Sequence, residues 1–469
     1  MNEQYKKLGK NTFWMTIGNF ASKLLSFFMV PLYTSYLSTS DYGVSDLITT
    51  TVSLLSPFLT LAASEGIIRF ALDKNSDNKD TFSFSMFIGV IGFTILLLLS
   101  PAIAPHTSFN NYYFLFLIYY VVSVASLLFQ QFVKGLDHVR SYAISGFLAT
   151  LTTVTFNILF LVVLKTGVEG YLYSMILGLV IPSIYLFIRE HLYEYFKSIN
   201  KINKHFAVQY LRYCLPLMPN QISWWINNSS DKYIMNFFWG LSLTGIYSVA
   251  YKIPSILNVI STIFFSSWQI SAIDDFGTEK SKRFFSNVYE RYFEFYAVVA
   301  SLLILFIKVA AKILFAKEFY NAWPYSSILI IASMIQAMGT FIGTVYTTSM
   351  KSKMILISTV LAAAVNTGLN FLLIPKIGAY GASIATAIGY GILLIVRLVD
   401  SKKIFNFKIH YIKHVVVYSL LIIQTTFMCL DLEFKSLFIA GCITMIICII
   451  NSQIFKDIIK FCKQLMKRC

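Results

Sequence analysis

The sequence predicts an all-α polytopic membrane protein with about fourteen transmembrane helices. Of its 469 residues, 57% are hydrophobic and only 13% are charged, and the mean hydropathy is +0.67. A soluble protein carries roughly 25% charged residues. A membrane-spanning helix needs about 20 mostly apolar residues, and the chain contains many runs of that length.

The first apolar run, from Phe13 to Leu37, is too long for a cleavable signal peptide, contains Lys23 and lacks a small-residue cleavage site. We therefore assign it as the first transmembrane helix. The fourteen predicted spans are residues 11–36, 43–68, 82–104, 111–133, 141–164, 168–188, 213–238, 243–271, 285–307, 324–349, 354–374, 378–398, 411–430 and 435–455.

Lysine and arginine alternate between the loops that connect these spans. With the N-terminus inside, the inner loops and tails hold most of them, and the outer loops hold Lys165, Lys308, Lys312, Lys317, Lys376 and Lys435. Because positive residues concentrate on the cytoplasmic side, the alternation predicts that both termini are cytoplasmic. Three of the exceptions fall between the ninth and tenth spans, which is the weakest point of this topology.

Several classes of function are excluded by what the sequence lacks. The six cysteines form no CxxC pair and the six histidines form no HExxH cluster, so neither a disulfide framework nor a metal site or cofactor is expected. The net charge of +16 is spread by topology and forms no nucleic-acid-binding patch. Membrane polymerases and acyltransferases need a catalytic constellation and commonly a large outer loop. The sequence offers neither.

Two stretches in equivalent places resemble each other, 157-NILFLVVLKTGVEGYLYS-174 and 370-NFLLIPKIGAYGASIAT-386. The aligned pairs are Asn157 with Asn370, Lys165 with Lys376, Gly167 with Gly378, Gly170 with Gly381 and, near the start of each half, Gly43 with Gly245. They predict duplication of a six-span unit, whose copies are related by an axis along the membrane normal. The predicted parts are an N-lobe (1–190), a cytoplasmic linker (191–212), a C-lobe (213–400), and two last helices with a basic tail (401–469). The lobes would surround a central lumen.

Ionisable residues inside the spans are candidate functional residues, because a charge at the bilayer centre costs about 2.5 to 3.5 kcal/mol on insertion scales. Lys23 falls near the middle of the first span and shares a face with Asn19. The stretch 218-MPNQISWWINNSSDKYIMNFFWG-240 carries two adjacent polar stripes, Asn220, Trp224, Asn227 and Asp231 beside Gln221, Trp225, Asn228 and Lys232. In the eighth span Lys252 falls at similar depth, and Tyr251 and Asn258 belong to a further polar stripe; Gln336 belongs to another in the tenth.

These residues form three candidate groups. The mid-span bases Lys23, Lys232 and Lys252 outnumber the acid Asp231 and suit the phosphates of an anionic substrate, as do Arg69 and Arg291. The polar and aromatic group suits sugar hydroxyls: Asn19, Trp224, Trp225, Asn227, Asn228, Tyr251, Asn258 and Gln336. If a proton or sodium ion drives transport, Asp231 or Glu65 is the candidate carrier.

Structural alternatives stand beside these roles. Lys232 and Lys252 can extend to an interface on their apolar stems, and Asp231 can simply neutralise a lysine. Glu65 and Arg69 have the spacing of a helical ion pair.

Arg291 lies between Glu290 and Glu294, which leaves its role open.

Six segments in order resemble the polysaccharide and oligosaccharide (Wzx-like) flippases of the multidrug/oligosaccharidyl-lipid/polysaccharide (MOP) exporter superfamily. They are Lys23, 37-LSTSDYGVSDL-47, 65-EGIIRF-70, 215-LPLMPNQISWWINNSSDKYI-234, 244-TGIYSVAYKI-253 and 378-GAYGASIAT-386. The resemblance covers spans one to twelve, and the last two match by count alone. Family members often place an arginine where Lys23 stands, so the planar fork for bidentate phosphate binding is lost here.

The resemblance implies two six-helix lobes, a V-shaped lumen and movement of undecaprenyl-pyrophosphate-linked oligosaccharide to the outer leaflet of the bacterial plasma membrane. That oligosaccharide would be an O-antigen, capsule or exopolysaccharide repeat unit. A monomer that works with a polysaccharide polymerase and other assembly proteins is expected. The alternative is a proton- or sodium-coupled multidrug or metabolite exporter of the same superfamily, against which the basic mid-span balance argues.

Overall fold

The computed structural model describes residues 27–73, 75–196, 202–271, 279–349, 351, 353–430, 434–455 and 457. Every regular element in these ranges is a helix, which confirms the predicted all-α class. Their α-helices are α1 (Val30–Tyr36), α2 (Thr39–Leu59), α3 (Ala63–Leu72), α4 (Asn78–Ile103), α5 (Tyr113–Gly135), α6 (Val139–Asn157), α7 (Gly167–Arg189), α8 (Lys204–Cys214), α9 (Met218–Ala250), α10 (Ser255–Ser271), α11 (Glu279–Leu305), α12 (Ile307–Leu314), α13 (Trp323–Thr348), α14 (Lys353–Ser401), α15 (Tyr411–Cys429) and α16 (Phe434–Ile450).

Within the described ranges, seven helices are long and apolar enough to span a membrane, or up to ten spans if each of three bent helix pairs counts as one. This confirms a polytopic membrane protein. The predicted first span, 11–36, lies mostly outside the described residues. The helices α9 and α14 each contain a sharp turn, at Gly240 and at Ile377–Gly378, where the sequence predicts the outer turns between spans seven and eight and between eleven and twelve.

Two predicted continuous spans are bent in the structure, and a third bend falls at the end of the predicted ninth span. The second bends by 58° between α2 and α3, where Leu61 and Ala62 adopt left-handed φ values of 52° and 57° just after Pro57. The eighth bends by 46° before α10, at a turn that ends in Pro254. Proline interrupts helical hydrogen bonding, and non-glycine residues rarely adopt positive φ. The bends therefore follow from local backbone chemistry that hydropathy does not register.

The third bend, of 65°, separates α11 from α12 and lies where three lysines break the charge alternation. The structure turns this predicted outer loop into the short helix α12 and a 3₁₀ turn at Lys317–Ala322. The ammonium of Lys308 lies 4.8 Å from the ring centre of Trp323. Lys308 and Lys312 therefore lie on α12, and Lys317 begins the 3₁₀ turn that follows it.

The chain forms two compact units. The first comprises residues 1–236 and 240–245, and the second comprises residues 237–239 and 246–469. Most of the seventh predicted span therefore packs with the first unit. The division of lobes at 190 and 213 came from the sequence repeat and stays a prediction.

In the first unit, α8 docks through a buried tyrosine. The Tyr210 hydroxyl donates to the Ala63 carbonyl at 2.8 Å and lies 2.6 Å from the Ser85 hydroxyl. Leu192, near the start of the predicted linker, is also fully buried. The start and end of the predicted linker are therefore packed parts of the first unit.

In the second unit, one buried amide joins the last two helices to the rest. Gln424 of α15 donates to the Ser301 carbonyl and to the Thr444 hydroxyl, both at 3.0 Å, and accepts from the Ser301 hydroxyl at 2.9 Å. Because a buried amide without partners is costly, this triad fixes how α11, α15 and α16 pack.

The paired glycines of the predicted repeat share their local structure. Gly167 and Gly378 both adopt left-handed φ, at 61° and 54°. A Cβ on Gly170 would meet Phe160, and one on Gly381 would meet the Leu373 backbone, each on the segment that precedes the turn. Glycine suits the left-handed φ at the first position of each pair and the close approach at the second, so the two stretches form the same kind of tight turn.

Candidate substrate-binding site

An ion pair joins α2 to α9 in the first unit. The ammonium of Lys232 lies 2.8 Å from a carboxylate oxygen of Asp46, and the two side chains are only 13% and 18% exposed. Asp46 belongs to the motif LSTSDYGVSDL, but no sequence pattern marked it as a candidate site residue. Lys232 is therefore an internally paired cation, and Asp46 adds a second acid within the predicted spans.

Aromatic side chains of α9 extend this contact along α2. The indole N–H of Trp225 donates to the Thr50 carbonyl at 2.9 Å and to the Ser53 hydroxyl at 3.1 Å. The hydroxyls of Tyr233 and Thr51 are also hydrogen-bonded. We call this set the α2–α9 seam: Asp46, Thr50, Thr51, Ser53, Trp225, Lys232 and Tyr233. Trp225 can offer a sugar only its ring face, because its N–H is occupied.

Tyrosines border the seam on α1 and α7. The rings of Tyr33 and Tyr171 lie 5.0 Å apart, and the ring of Tyr42, one turn before Asp46 on α2, lies 6.4 Å from that of Tyr171. The Tyr33 hydroxyl accepts from the Asn157 side chain at 3.2 Å. Sequence reasoning missed this cluster, because isolated tyrosines in apolar helices carry no pattern.

The predicted sugar-contacting residues of α9 divide between exposed and buried positions. Asn228 is exposed, Trp224 is half-buried, and Asn227 is buried with its amide donating to the Ser223 carbonyl at 3.0 Å. Asp231 is also buried and accepts the Lys232 backbone N–H at 2.9 Å. In this conformation Asn228 and Trp224 are the residues of this set that a ligand can reach, together with the half-buried ring of Trp225.

Glu65 and Arg69 are both on α3, and both are exposed. Glu65 accepts a hydrogen bond from Gln221 of α9 at 3.2 Å. This contact joins the short helix after the bend to the polar stripe of the seventh span. It places Glu65 at an exposed position within the first unit.

In the second unit, Tyr251 and Lys252 lie in the turn between α9 and α10, both half-buried. The Tyr251 hydroxyl lies 3.1 Å from that of Tyr247. Asn258 is exposed on α10, and Gln336 is half-buried on α13.

Arg291 is held by two acids. Its guanidinium lies 2.7 Å from Glu294 and 2.9 Å from Asp457. It lines a groove of about 570 Å³ whose other walls are mainly aromatic and aliphatic, including Phe264 and Tyr292. In this structure the two acids balance the charge of Arg291, and its assignment to the substrate site stays a prediction. Lys23 and Asn19 lie outside the described residues.

The described residues contain no group of three or more His, Cys, Asp or Glu side chains arranged to hold a metal ion. Four of the cysteines, at 214, 429, 442 and 448, are free thiols.

Solved structures with the same fold include several transporters. The lipid II flippase MurJ in an inward closed conformation is 16% identical, covers 94% of this chain and 99% of its own, and has a TM-score of 0.71. An inward-facing multidrug resistance MATE family transporter of the MOP superfamily is 16% identical, with coverage of 81% and 94% and a TM-score of 0.68. A MOP superfamily transporter from Pyrococcus furiosus, described as having a binding pocket of reversed polarity, is 16% identical, with coverage of 85% and 95% and a TM-score of 0.58.

At this identity the likeness establishes the fold alone, which the chain shares with these proteins. No curated protein sequence matches the chain. The sequence profile described as polysaccharide biosynthesis protein matches residues 8–269, more than half of the chain, and includes Lys23 and the whole α2–α9 seam. The chain therefore belongs to the polysaccharide biosynthesis protein family, with the fold of MOP-superfamily flippases and transporters.

Proposed function

We propose that the protein is a flippase that moves an undecaprenyl-pyrophosphate-linked oligosaccharide from the inner to the outer leaflet by alternating access. The cargo is the repeat unit of an O-antigen, capsule or exopolysaccharide. The family match over residues 8–269 is the observation that carries the proposal. The MurJ-like fold supports it, because a known lipid flippase shares the fold over 94% of this chain.

The candidate basic, polar and aromatic residues suit this cargo. Lys23 and Lys252 are the bases assigned to the pyrophosphate, whereas Lys232 is already paired with Asp46. Asn228, Trp224 and the ring of Trp225 are the accessible sugar contacts. An aromatic ring beside an amide suits a sugar, which presents both an apolar face and hydroxyls.

Mass spectrometry of lipids that co-purify from the native host tests the proposal. We expect a polyprenyl-pyrophosphate glycan with the wild-type protein and its loss in the Lys23→Ala, Lys252→Ala double variant. Lys351→Ala, at an exposed position, is the matched control and should retain the lipid. Retention in the double variant would move the anion site elsewhere. Absence of the lipid from the wild-type protein would contradict the flippase.

A cation-coupled multidrug or metabolite exporter is the second candidate. The MATE-like fold favours it, and so does the added acid, since Asp46 and Asp231 both fall within predicted membrane spans and both belong to the first unit. This candidate requires efflux of organic cations driven by a proton or sodium gradient. Efflux in proteoliposomes, lost in Asp231→Asn and in Glu65→Gln, would select it over the flippase.

The remaining expectations belong to this proposal. The protein would lie in the bacterial plasma membrane with both termini in the cytoplasm and would act as a monomer beside a polysaccharide polymerase. It would use no cofactor, and H⁺ or Na⁺ would serve as coupling ion through Asp231 or Glu65. Labelling of the single-cysteine substitutions Lys165→Cys and Lys403→Cys from either side of the membrane tests the orientation, because the proposed topology places these two residues on opposite faces.

A further inference from the structure

Two glutamates lie one turn apart on α11, in its contact with α15, and both are buried. Glu294 is balanced by fixed positive charges, since it lies 2.5 Å from the Lys413 ammonium and 2.7 Å from the Arg291 guanidinium. A lysine and an arginine therefore balance this carboxylate.

Glu290 has a different set of partners. It is 8% exposed, and its carboxylate lies 3.3 Å from His414 Nε2 and 3.4 Å from His410 Nδ1. It also accepts the backbone N–H of His410 at 2.9 Å. In the described part of the chain, no lysine or arginine forms a salt bridge with Glu290, and its ionisable partners there are two imidazoles.

His414 is enclosed as well. It is 7% exposed, and its ring stacks on Phe293 with centres 3.7 Å apart, while Tyr289 lies at 5.6 Å. An aromatic face attracts a cation. His410, by contrast, has a side chain that is 73% exposed. The enclosed imidazole is therefore the partner whose charge matters to the buried carboxylate.

The other titratable or charged groups around the pair are accounted for. Those on α11 are Tyr289, Arg291 and Glu294; those on and before α15 are His410, Tyr411, Lys413 and Tyr418; and Asp457, which follows α16, is bound to Arg291. The neighbouring α13 presents Phe341 to Tyr289. Among these groups, only a histidine proton supplies a positive charge to Glu290.

An ionised carboxylate buried without a cation is strongly unfavourable. Glu290 also lies at the N-terminus of α15, where the helix dipole and the His410 N–H favour a negative charge. The carboxylate therefore stays ionised, and the balancing proton belongs on the imidazole. We propose that Glu290 and His414 form a proton-binding site between α11 and α15, in which the imidazole carries the proton and the carboxylate balances its charge.

This site goes beyond the substrate-binding residues, because it lies in the second unit and uses neither Asp231 nor Glu65. Proton binding here does not depend on the proposed function. Only its use as the coupling proton for transport rests on that function.

Nuclear magnetic resonance of the detergent-solubilised full chain with labelled histidine tests the site. At pH 7.5 we expect a doubly protonated imidazole signal that disappears in His414→Gln, which assigns it, and that becomes neutral in Glu290→Gln. Glu190→Gln is the matched control, because it removes the carboxylate from the exposed His138 pair and should leave the His414 signal unchanged. A neutral His414 in the wild-type protein, or one that stays protonated in Glu290→Gln, would overturn the proposal.

Transport tests the use of the proton separately. In proteoliposomes loaded with lipid-linked glycan, coupling through this site predicts that the wild-type rate falls by at least about tenfold between pH 7 and pH 9. The rate of Glu290→Gln should stay constant over that range. A wild-type rate without this decline contradicts coupling through the site. Absence of glycan transport at every pH contradicts the flippase, and the resonance experiment then decides the proton site by itself.

Discussion

Asp46 and Lys232 form an ion pair between α2 and α9, two helices that are distant in the chain and adjacent in the first unit. Each charge lies largely out of solvent, so each depends on the other. Each charge would be costly alone inside a membrane. Paired, the two charges join the second predicted span to the seventh.

Removing one partner of this pair should destabilise the first unit more than removing both. We expect Lys232→Ala or Asp46→Ala to lower the free energy of unfolding by about 3 kcal/mol, because a buried charge is left unpaired. The double variant should recover much of that loss. Thermal unfolding of the purified protein in detergent measures all three. Additive losses in the double variant would contradict the coupling of the two charges.

Gly43 and Gly245 pack directly against each other's segments. A Cβ on Gly43 would meet the Leu241 carbonyl, and one on Gly245 would meet the Thr39 carbonyl. We expect Gly43→Ala and Gly245→Ala each to destabilise the protein by about 1 to 3 kcal/mol through overpacking.

Gly146 offers the matched control, because an added Cβ there meets nothing within 4 Å. Since alanine favours a helix by about 1 kcal/mol over glycine, Gly146→Ala should be neutral or stabilising. Unfolding temperatures of the three variants provide the comparison. Equal behaviour of Gly43→Ala and Gly146→Ala would show that the close approach is absent in solution.

Trp225 holds α9 to α2 through its indole N–H. Trp225→Phe keeps a ring face for a sugar but removes both hydrogen bonds, so stability should fall by about 1 to 2 kcal/mol. Ser53→Ala removes the weaker acceptor alone and should cost less. If lipid co-purification in Trp225→Phe falls while stability is unchanged, the N–H serves the ligand and the structural assignment is wrong.

Arg291 should behave as a structural residue. Because it bridges Glu294 and Asp457, we expect Arg291→Gln to lower the unfolding temperature and to leave the co-purified lipid at the wild-type level. Asp457→Asn should have a smaller effect, since that side chain is 46% exposed. Loss of the lipid in Arg291→Gln without a change in unfolding temperature would restore Arg291 to the substrate site.

Features that are summed over many residues can be predicted from the sequence, whereas a single backbone conformation cannot. Hydropathy and charge alternation are summed over many residues, and they predicted the membrane class, the helices and the turns at Gly240 and Gly378. The paired glycines were found because a left-handed turn demands glycine locally. The bends at Leu61 and before α10 were missed, since a single backbone conformation hardly alters a hydropathy average.

Composition and helical period are local properties, and they were enough to establish a helical membrane protein with polar stripes on its seventh span. Which of those polar groups are paired depends on the packing of the helices. Lys232 acquires Asp46, Arg291 acquires Asp457, and Glu290 acquires His414. A charge is neutralised by whatever lies within a few ångströms in space, and that neighbour is set by contacts between helices that are far apart in the chain.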